Sequence, residues 1–580
     1  MENEVLILND QGYMGRIINV DTTRAIIYID NHNIINRLSV TDLVAIKTFS
    51  EQKILIGMVE SVSRGIEQDD VVIDGMELDV EYVDNAKDLV KVAVIGTFFL
   101  VKGDEKNIFK RGASSFPLID SKCYLIESNN LQRFMGIFAN GDNDEYTLDI
   151  GTFVNDSNAK AILDGDKLFQ RHACILGSTG SGKSWCVATI LEKAAKLKYS
   201  NIIVFDIHGE YKTLTIGDDK IAEGYHIAGA CDSEENEEAI YMPYWLLNRE
   251  ELLSMVLDRS DNNAPNQASR FTLHIKDLKK DVLEKEDKHD LKKSFTVDSP
   301  IPYSIEALME LLKEDDTRKG IGAKGAPVKG EWEGKLTRFV SRLEAKIDDK
   351  RYSFMYNPPK QALEYNWLYE MVGKLLESNG AKKGIKIVDF SEVPSDVLPI
   401  VTGTLARILY NVQFWLNEEE RTPFTILCDE AHLYLPLKEN VDSVERQALY
   451  NFERIAKEGR KYGVSLLVVS QRPSDVSKTI LSQCNNFIIL RLTNDRDQSV
   501  VKNLIPDSLK GVVECLPILD VGESIVLGDS ILLPNRIRIN EPLIKPKSDT
   551  KKFWTEWNEK MQEKDKLITA IENFRAQTRL

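Results

Sequence analysis

An apolar run at 172–176 passes straight into Gly177-Ser-Thr-Gly-Ser-Gly182-Lys183-Ser184, and a helical pattern starts at once behind it. Such a glycine loop closes round a phosphate only when a buried strand and a helix hold its two ends, so the chain must contain an α/β core built on a strand–loop–helix unit. Gly177, Gly180 and Gly182 let backbone N–H groups turn inward where a Cβ would obstruct them. Val187, Ile190, Leu191, Ala194 and Ala195 recur at helical spacing, which points the helix N-terminus at the anion. The candidate nucleotide-binding residues run from Gly177 through Ser178, Thr179, Gly180, Ser181, Gly182, Lys183 and Ser184 to Trp185. Lys183 has the reach for the β/γ-phosphates of ATP, and the Ser184 hydroxyl is a candidate Mg²⁺ ligand.

The 580-residue length is too great for one core and predicts several domains. A hydrophobic content of 43% with mixed charge throughout describes an ordered chain. The acidic start predicts no signal peptide, and the longest apolar stretch, 92–101, is too short to span a bilayer, so no membrane partner is expected. Seven cysteines lie scattered without a Cys-x-x-Cys pair, which fits a reducing cytoplasm and neither a zinc site nor a disulfide framework. Net charge is −17, from 74 basic and 91 acidic residues, which excludes a broad nucleic-acid-coating face but leaves room for a basic ring lining a channel.

Residues 1–155 read as β-rich: runs at 15–20, 24–28, 43–48, 53–62 and 92–100 are separated by Asn/Asp/Gly turns, the pattern of a small barrel or sandwich suited to assembly or docking. The core is assigned to 156–211 and 385–540. Its candidate strands are 172–176, 201–206, Ile385–Asp389, Phe424–Cys428, Val464–Ser470, 487–490 and 524–527, short and apolar as parallel strands buried on both faces should be. Residues 212–384 carry amphipathic patterns at 305–312, 336–347 and 363–376 and are expected to form a helical insertion. Within it, 317–335 is a basic, glycine-rich stretch expected to be a solvated loop, with a DNA- or partner-contacting loop as the alternative. Residues 541–580 form a helical tail whose Phe553, Trp554 and Trp557 suit docking on a neighbour.

Hydrolysis needs a metal organiser and a carboxylate that polarises water. Asp429 and Glu430, directly after Phe424–Cys428, supply both: Asp429 for the Mg²⁺ shell and Glu430 for the water. Gln471 follows the next strand and can contact the γ-phosphate or the lytic water, with turn capping as the alternative. Asp206 ends the strand at 201–206 in Asp-Ile-His-Gly-Glu-Tyr, either supporting the water or metal shell or serving the turn itself. Arg460 lies in a basic turn before Val464–Ser470, either placed to face a neighbouring subunit's phosphate or a plain surface arginine, and Arg171 precedes the P-loop strand.

RHACILGSTGSGKS, DIHGEY, ILCDEAHLYLP and AKEGRKYGVSLLVVSQRPSDV together resemble HerA, the hexameric DNA-translocating ATPases of the HerA/FtsK group. The resemblance implies an α/β fold with a RecA-like P-loop core, an N-terminal β-barrel domain and a helical insertion. It also implies a homo-hexamer with ATP at subunit interfaces and double-stranded DNA in a central pore. Lys183 and Ser184 fall on the family's P-loop roles, Glu430 on its catalytic glutamate, Arg460 on its trans arginine finger, Arg171 on a second arginine near the nucleotide and Asp206 on an acidic site residue. Relatives work beside a nuclease in DNA-end resection or, in anti-phage systems, beside a nuclease or a sirtuin-like NADase. The defence setting, with the effector docked on the N-terminal domain, is the favoured expectation; a nucleotide-gated scaffold that barely moves DNA is the alternative.

Overall fold

The computed structural model describes residues 6–21, 24–50, 52–68, 71–72, 86–100, 108–112, 116–135, 147–229, 232, 236–321, 327–380, 382–505, 510–548, 551–559, 561 and 563–576. Cys231 and part of the 317–335 stretch (322–326) lie outside them. The chain divides into two compact units, one of residues 1–197, 469–474 and 481–545, the other of 198–468, 475–480 and 546–580.

The first unit opens with the barrel. Strands Lys53–Gln68, Leu43–Lys47, Lys122–Ile126, Tyr13–Val20, Arg24–Ile29 and Ala86–Phe99 follow one another antiparallel, and the last pairs back onto the first. Closure leaves no edge among these strands, and inward alternation of Met14, Ile27, Ile29, Val44, Ile46, Leu55, Val90, Val92 and Leu125 fills the interior. A short strand, Ile108–Arg111, extends from Ala86–Phe99.

The same unit holds a run of strands in the order Asp156–Leu163, Leu148–Phe153, Asn535–Ile539, Glu523–Gly528, Asn486–Leu490 and Ala173–Leu176. Only the last pair is parallel. The expectation of parallel pairing for 524–527 is therefore corrected: Glu523–Gly528 runs antiparallel to Asn486–Leu490. The connection carries the helices Asp495–Leu504 and Lys510–Val513, yet the strand returns antiparallel, and apolar content alone does not report direction. Leu148–Phe153, which the sequence reading placed with the barrel, pairs in this run.

In the second unit, residues 464–468 of strand Val464–Ser470, then Phe424–Cys428, Ile202–Asp206, Ile385–Asp389, Ala222–Ile227 and Ala239–Ile240 lie side by side, all parallel. The first three are buried along their whole length, as helix-covered parallel strands must be. Ala222–Ile227 and Ala239–Ile240 fall inside the segment expected to be helical. Their AEGYHI and AI sequences are too short and too polar to show a period, and pairing with Ile385–Asp389 makes them strands. Beyond them the helices Arg249–Val256, Ala264–Lys285, Ile305–Thr317 and Thr337–Asp348 pack on one another through Phe271, Leu308, Leu312, Phe339 and Leu343, and helix Trp367–Leu376 follows. Among the described residues no helix is long and apolar enough to cross a membrane. In the tail, Phe553, Trp554 and Trp557 are exposed on helix Phe553–Glu559.

One buried ion pair ties the helical segment to the helices of this sheet. Glu251, 0% exposed, accepts Arg407 Nε at 2.8 Å and Nη2 at 2.6 Å, Asn451 Nδ2 at 2.9 Å and its own cap's Asn248 N–H at 2.8 Å. Every lone pair it brings inside has a donor, the condition under which a buried carboxylate is tolerated. Glu251→Ala leaves the Arg407 guanidinium buried without its counter-charge and is expected to destabilise the protein by about 3–5 kcal/mol, measured by urea denaturation.

Candidate functional site

In the first unit, Ala173–Leu176 delivers the chain to the P-loop and helix Lys183–Ala195 carries it away. Gly182 caps that helix with φ +102°, a left-handed backbone that a side chain would strain, and no side chain caps the first turn. The leading N–H groups are thus left for an anion. A Cβ on Gly177 would meet Ser181 Oγ at 2.6 Å and Leu490 Cβ at 2.9 Å, so only glycine lets the loop start this close to the neighbouring strand. Backbone bonds pin the loop: Gly177 N–H donates to Ser470 O at 3.3 Å and Ser178 N–H to Arg491 O at 2.8 Å. Lys183 is buried, its Nζ 3.4 Å from Ser178 O, curled over the cradle. Ser181 Oγ is buried with no hydrogen-bond partner among the described residues. An uncapped helix N-terminus, a buried lysine and an orphaned hydroxyl fit a nucleoside triphosphate.

Gln471 comes to the loop: Thr179 Oγ1 donates to its Oε1. Trp185 is 36% exposed, with the Lys545 ammonium 5.3 Å above its ring.

The second unit gathers the carboxylates. Asp206 and Asp429 stand at the carboxyl ends of neighbouring parallel strands, where Phe205 pairs with Cys428, and Glu430 follows directly. The three are 0%, 4% and 8% exposed. Asp206 accepts the N–H groups of Glu210 at 3.0 Å and Tyr211 at 2.9 Å, so it also holds the turn behind its strand. Burial pushes its carboxyl up to about 7 against those two donors, with Asp389 and Glu210 adding to the rise. Burial, and then the charges of Asp206 and Glu430, drive Asp429 well above the usual carboxylate range. Asp429 Oδ2 has no hydrogen-bond partner among the described residues. Glu430 takes a left-handed backbone, φ +43°, and its Oε2 lies 3.2 Å from His432 Nδ1. Strain of this kind costs about 1–3 kcal/mol and persists where surrounding structure imposes it.

These groups fit a divalent cation, since buried carboxylates that repel one another gain most from a counter-charge. Among the described residues no three His, Cys, Asp or Glu side chains converge into a metal cage. That suits Mg²⁺, which is held by one or two carboxylates together with phosphate oxygens and water.

The two arginines stand elsewhere. Arg460 is exposed in the turn Gly459–Tyr462, just before Val464, which pairs with Phe424. Asp429 follows the far end of that same strand, about 15 Å away at ~3.3 Å per residue. Arg171 precedes Ala173–Leu176, whose other end is the P-loop, and ion-pairs with Asp529. Neither arginine is brought to the groups at the carboxyl end of its strand.

The sequence reading missed Asp389, which ends Ile385–Asp389 in register with Asp206. Its signal was visible, an apolar strand closed by Asp as at Ile202–Asp206. It also missed Asp529, whose partner Arg171 is 358 positions away and has no local signal.

Fold and site define an ATP hydrolase of the P-loop class. Residues 148–409 match the family model described as the central domain of the helicase HerA. A probable helicase of Methanocaldococcus jannaschii is 27% identical over 504 residues, 84% of this chain and 84% of its own length. The DNA double-strand break repair helicase HerA of Pyrococcus furiosus is 26% identical over 427 residues, 68% of this chain and 69% of its own. The solved structure of VirB4 of Thermoanaerobacter pseudethanolicus aligns with 69% of this chain and 98% of its own at 16% identity, TM-score 0.44. The likeness to HerA thus extends along most of the chain.

A carboxyl held near 7 in the native state and near 4 when unfolded keeps a proton that the unfolded chain has released. Its contribution to stability is present below about pH 4 and is lost as pH rises toward about 7. Without nucleotide or Mg²⁺, Asp206→Asn is therefore expected to gain thermal stability relative to wild type between about pH 5 and pH 8, measured as the difference in Tm.

Proposed function

We propose that this protein is an ATP-driven DNA translocase that works as a ring, each subunit completing its neighbour's nucleotide site. Glu430 takes a proton from water as the water oxygen attacks the γ-phosphorus, and the bond to the ADP leaving oxygen breaks. Lys183 and the leading N–H groups of helix Lys183–Ala195 neutralise the phosphate oxygens, and Gln471 orients the water or the γ-phosphate. Ser184 and Asp429 would hold Mg²⁺, which supplies charge neutralisation along the β- and γ-phosphates.

The position of Arg460 carries the reading. It is exposed at the amino end of its strand pair, while Asp429 and Glu430 occupy the carboxyl end, a separation beyond the reach of an arginine side chain. An exposed arginine so placed serves phosphoryl transfer only when supplied to another subunit. Arg171, at the amino end of the P-loop strand, is assigned the same direction. A ring of six, as in the family resemblance, with double-stranded DNA in its pore, reconciles DNA binding with a chain of net charge −17, because the basic contacts need only line a channel. The relatives' description as helicases supports a DNA substrate.

The finer setting we propose is cytoplasmic anti-phage defence, in which a nuclease or a sirtuin-like NADase docks on the barrel. Exposed Phe49, Phe116, Leu118 and Ile119 on the barrel's side of the chain support a docking role for that domain. HerA-type DNA-end resection uses the same motor with a nuclease. The nucleotide-gated scaffold is favoured by one observation, the acidic net charge. ATP turnover with and without linear duplex DNA separates the two: strong stimulation by duplex supports translocation, and stimulation by the effector alone supports the scaffold.

Glu430→Gln is expected to bind ATP and lower kcat by at least about 100-fold, measured by phosphate release; wild-type turnover would remove Glu430 from the chemistry. Arg460→Ala and Lys183→Ala are each expected to be inactive alone. Mixed rings should regain part of the turnover, because an intact P-loop then meets an intact arginine; no recovery would leave Arg460 without a role in trans.

A further inference from the structure

Arg171 is held in an unusual way. The residue after it, His172, is buried with φ +49°, a backbone that a non-glycine residue adopts only under constraint. Asn485 N–H donates to the carbonyls of Arg171 at 3.1 Å and His172 at 3.3 Å, while Asn485 Nδ2 donates to Asp529 Oδ2 at 3.2 Å. Arg171 Nη1 donates to that same oxygen. One residue thus grips the backbone of Arg171, and one carboxylate grips its side chain. Arg171 Nε is buried with no acceptor among the described residues, so the guanidinium is tied at one end only.

The same carboxylate receives a second arginine from the barrel. Arg111, at the end of Ile108–Arg111, places Nη1 3.1 Å from Asp529 Oδ1 and donates Nη2 to the carbonyls of Gly528 and Ile531, on either side of it. Burial lowers the Arg111 guanidinium, and Asp529 offsets this. Burial raises the Asp529 carboxyl, but the donors Asn485 and Arg171 outweigh it and hold it below the usual range. A carboxylate that is only half-buried, 28% exposed, has no structural need for two arginines, Asn485 and a clamped turn. The arrangement makes sense as a mount.

We propose that Asp529 is a positioning residue that aims Arg171 at the neighbouring subunit's nucleotide, and that Arg111 carries the state of the β-barrel to it by fixing the turn on which Asp529 sits. The inference rests on the trans role proposed above for Arg171 and extends it to a physical line between the docking domain and the ATPase. A partner that shifts strand Ile108–Arg111 loosens or tightens the turn Gly528–Ile531, and with it the aim of Arg171.

Steady-state ATP turnover of the full-length protein, with single and double substitutions, tests it. Arg171→Ala is expected to lower kcat by about tenfold or more; if it does not, the trans role of Arg171 falls and the mount with it. Given that loss, Asp529→Asn should lower kcat to a similar degree with KM for ATP within about twofold, and Asp529→Glu should restore most of it. Arg171→Ala/Asp529→Asn should be no worse than Arg171→Ala alone, since the two act as one unit. Arg111→Gln should lower kcat by about threefold and add nothing in the Arg171→Ala background. Mixing Asp529→Asn with Lys183→Ala should restore turnover, which a merely unstable subunit would not do. Wild-type turnover for Asp529→Asn, or additive losses in the double variants, overturns the inference while leaving Arg171 in place.

Discussion

Asp206, Asp429 and Glu430 are taken out of water at the ends of two adjacent strands, and the charges of Asp206 and Glu430 raise the cost of ionising Asp429. That repulsion is the constraint on which the rest of the second unit depends. Parallel strands buried on both faces have nowhere to carry charge except their ends. The pair Ile202–Asp206 and Phe424–Cys428 concentrates it at one end, where the backbone N–H groups of Glu210 and Tyr211 offset only part of it. A divalent cation with its phosphate oxygens would supply what the protein withholds. The left-handed backbone at Glu430 is strained, and Asp429 Oδ2 has no hydrogen-bond partner among the described residues, as suits a site that takes a ligand.

The same strand geometry sorts the positive charges. Lys183 lies at the carboxyl end of its strand and Arg171 before the amino end; Asp429 and Arg460 are divided in the same way across Phe424–Cys428 and Val464–Ser470. A strand of four to seven residues is longer than any side chain, so a subunit cannot bring both ends to one phosphate. The proposed cooperation between copies rests on this polarity, and the barrel is connected to one of the arginines through Arg111 and Asp529.

Much of this was legible in the chain. The bounds of Ile385–Asp389, Phe424–Cys428 and Val464–Ser470 could be read directly, because short apolar runs closed by polar residues have no other way to fold in an α/β context. The P-loop was legible because glycine positions are dictated by local backbone geometry, as the left-handed Gly182 shows. Strand direction at Glu523–Gly528 was not, and neither were the strands Ala222–Ile227 and Ala239–Ile240, whose mixed composition acquires meaning only beside Ile385–Asp389.

By itself the sequence determined the local chemistry: a phosphate cradle, a pair of carboxylates after a buried strand, an amide after the next and two arginines before theirs. These follow from short-range rules of spacing and conformation. Tertiary structure alone decided which groups share an environment: that Asp206 both caps a turn and presses on Asp429, that Gln471 meets Thr179, and that Asp529 holds Arg171 across 358 positions. Those pairings arise from how strands align and layers pack, and electrostatic coupling depends on distance in space, which spacing along a chain does not encode.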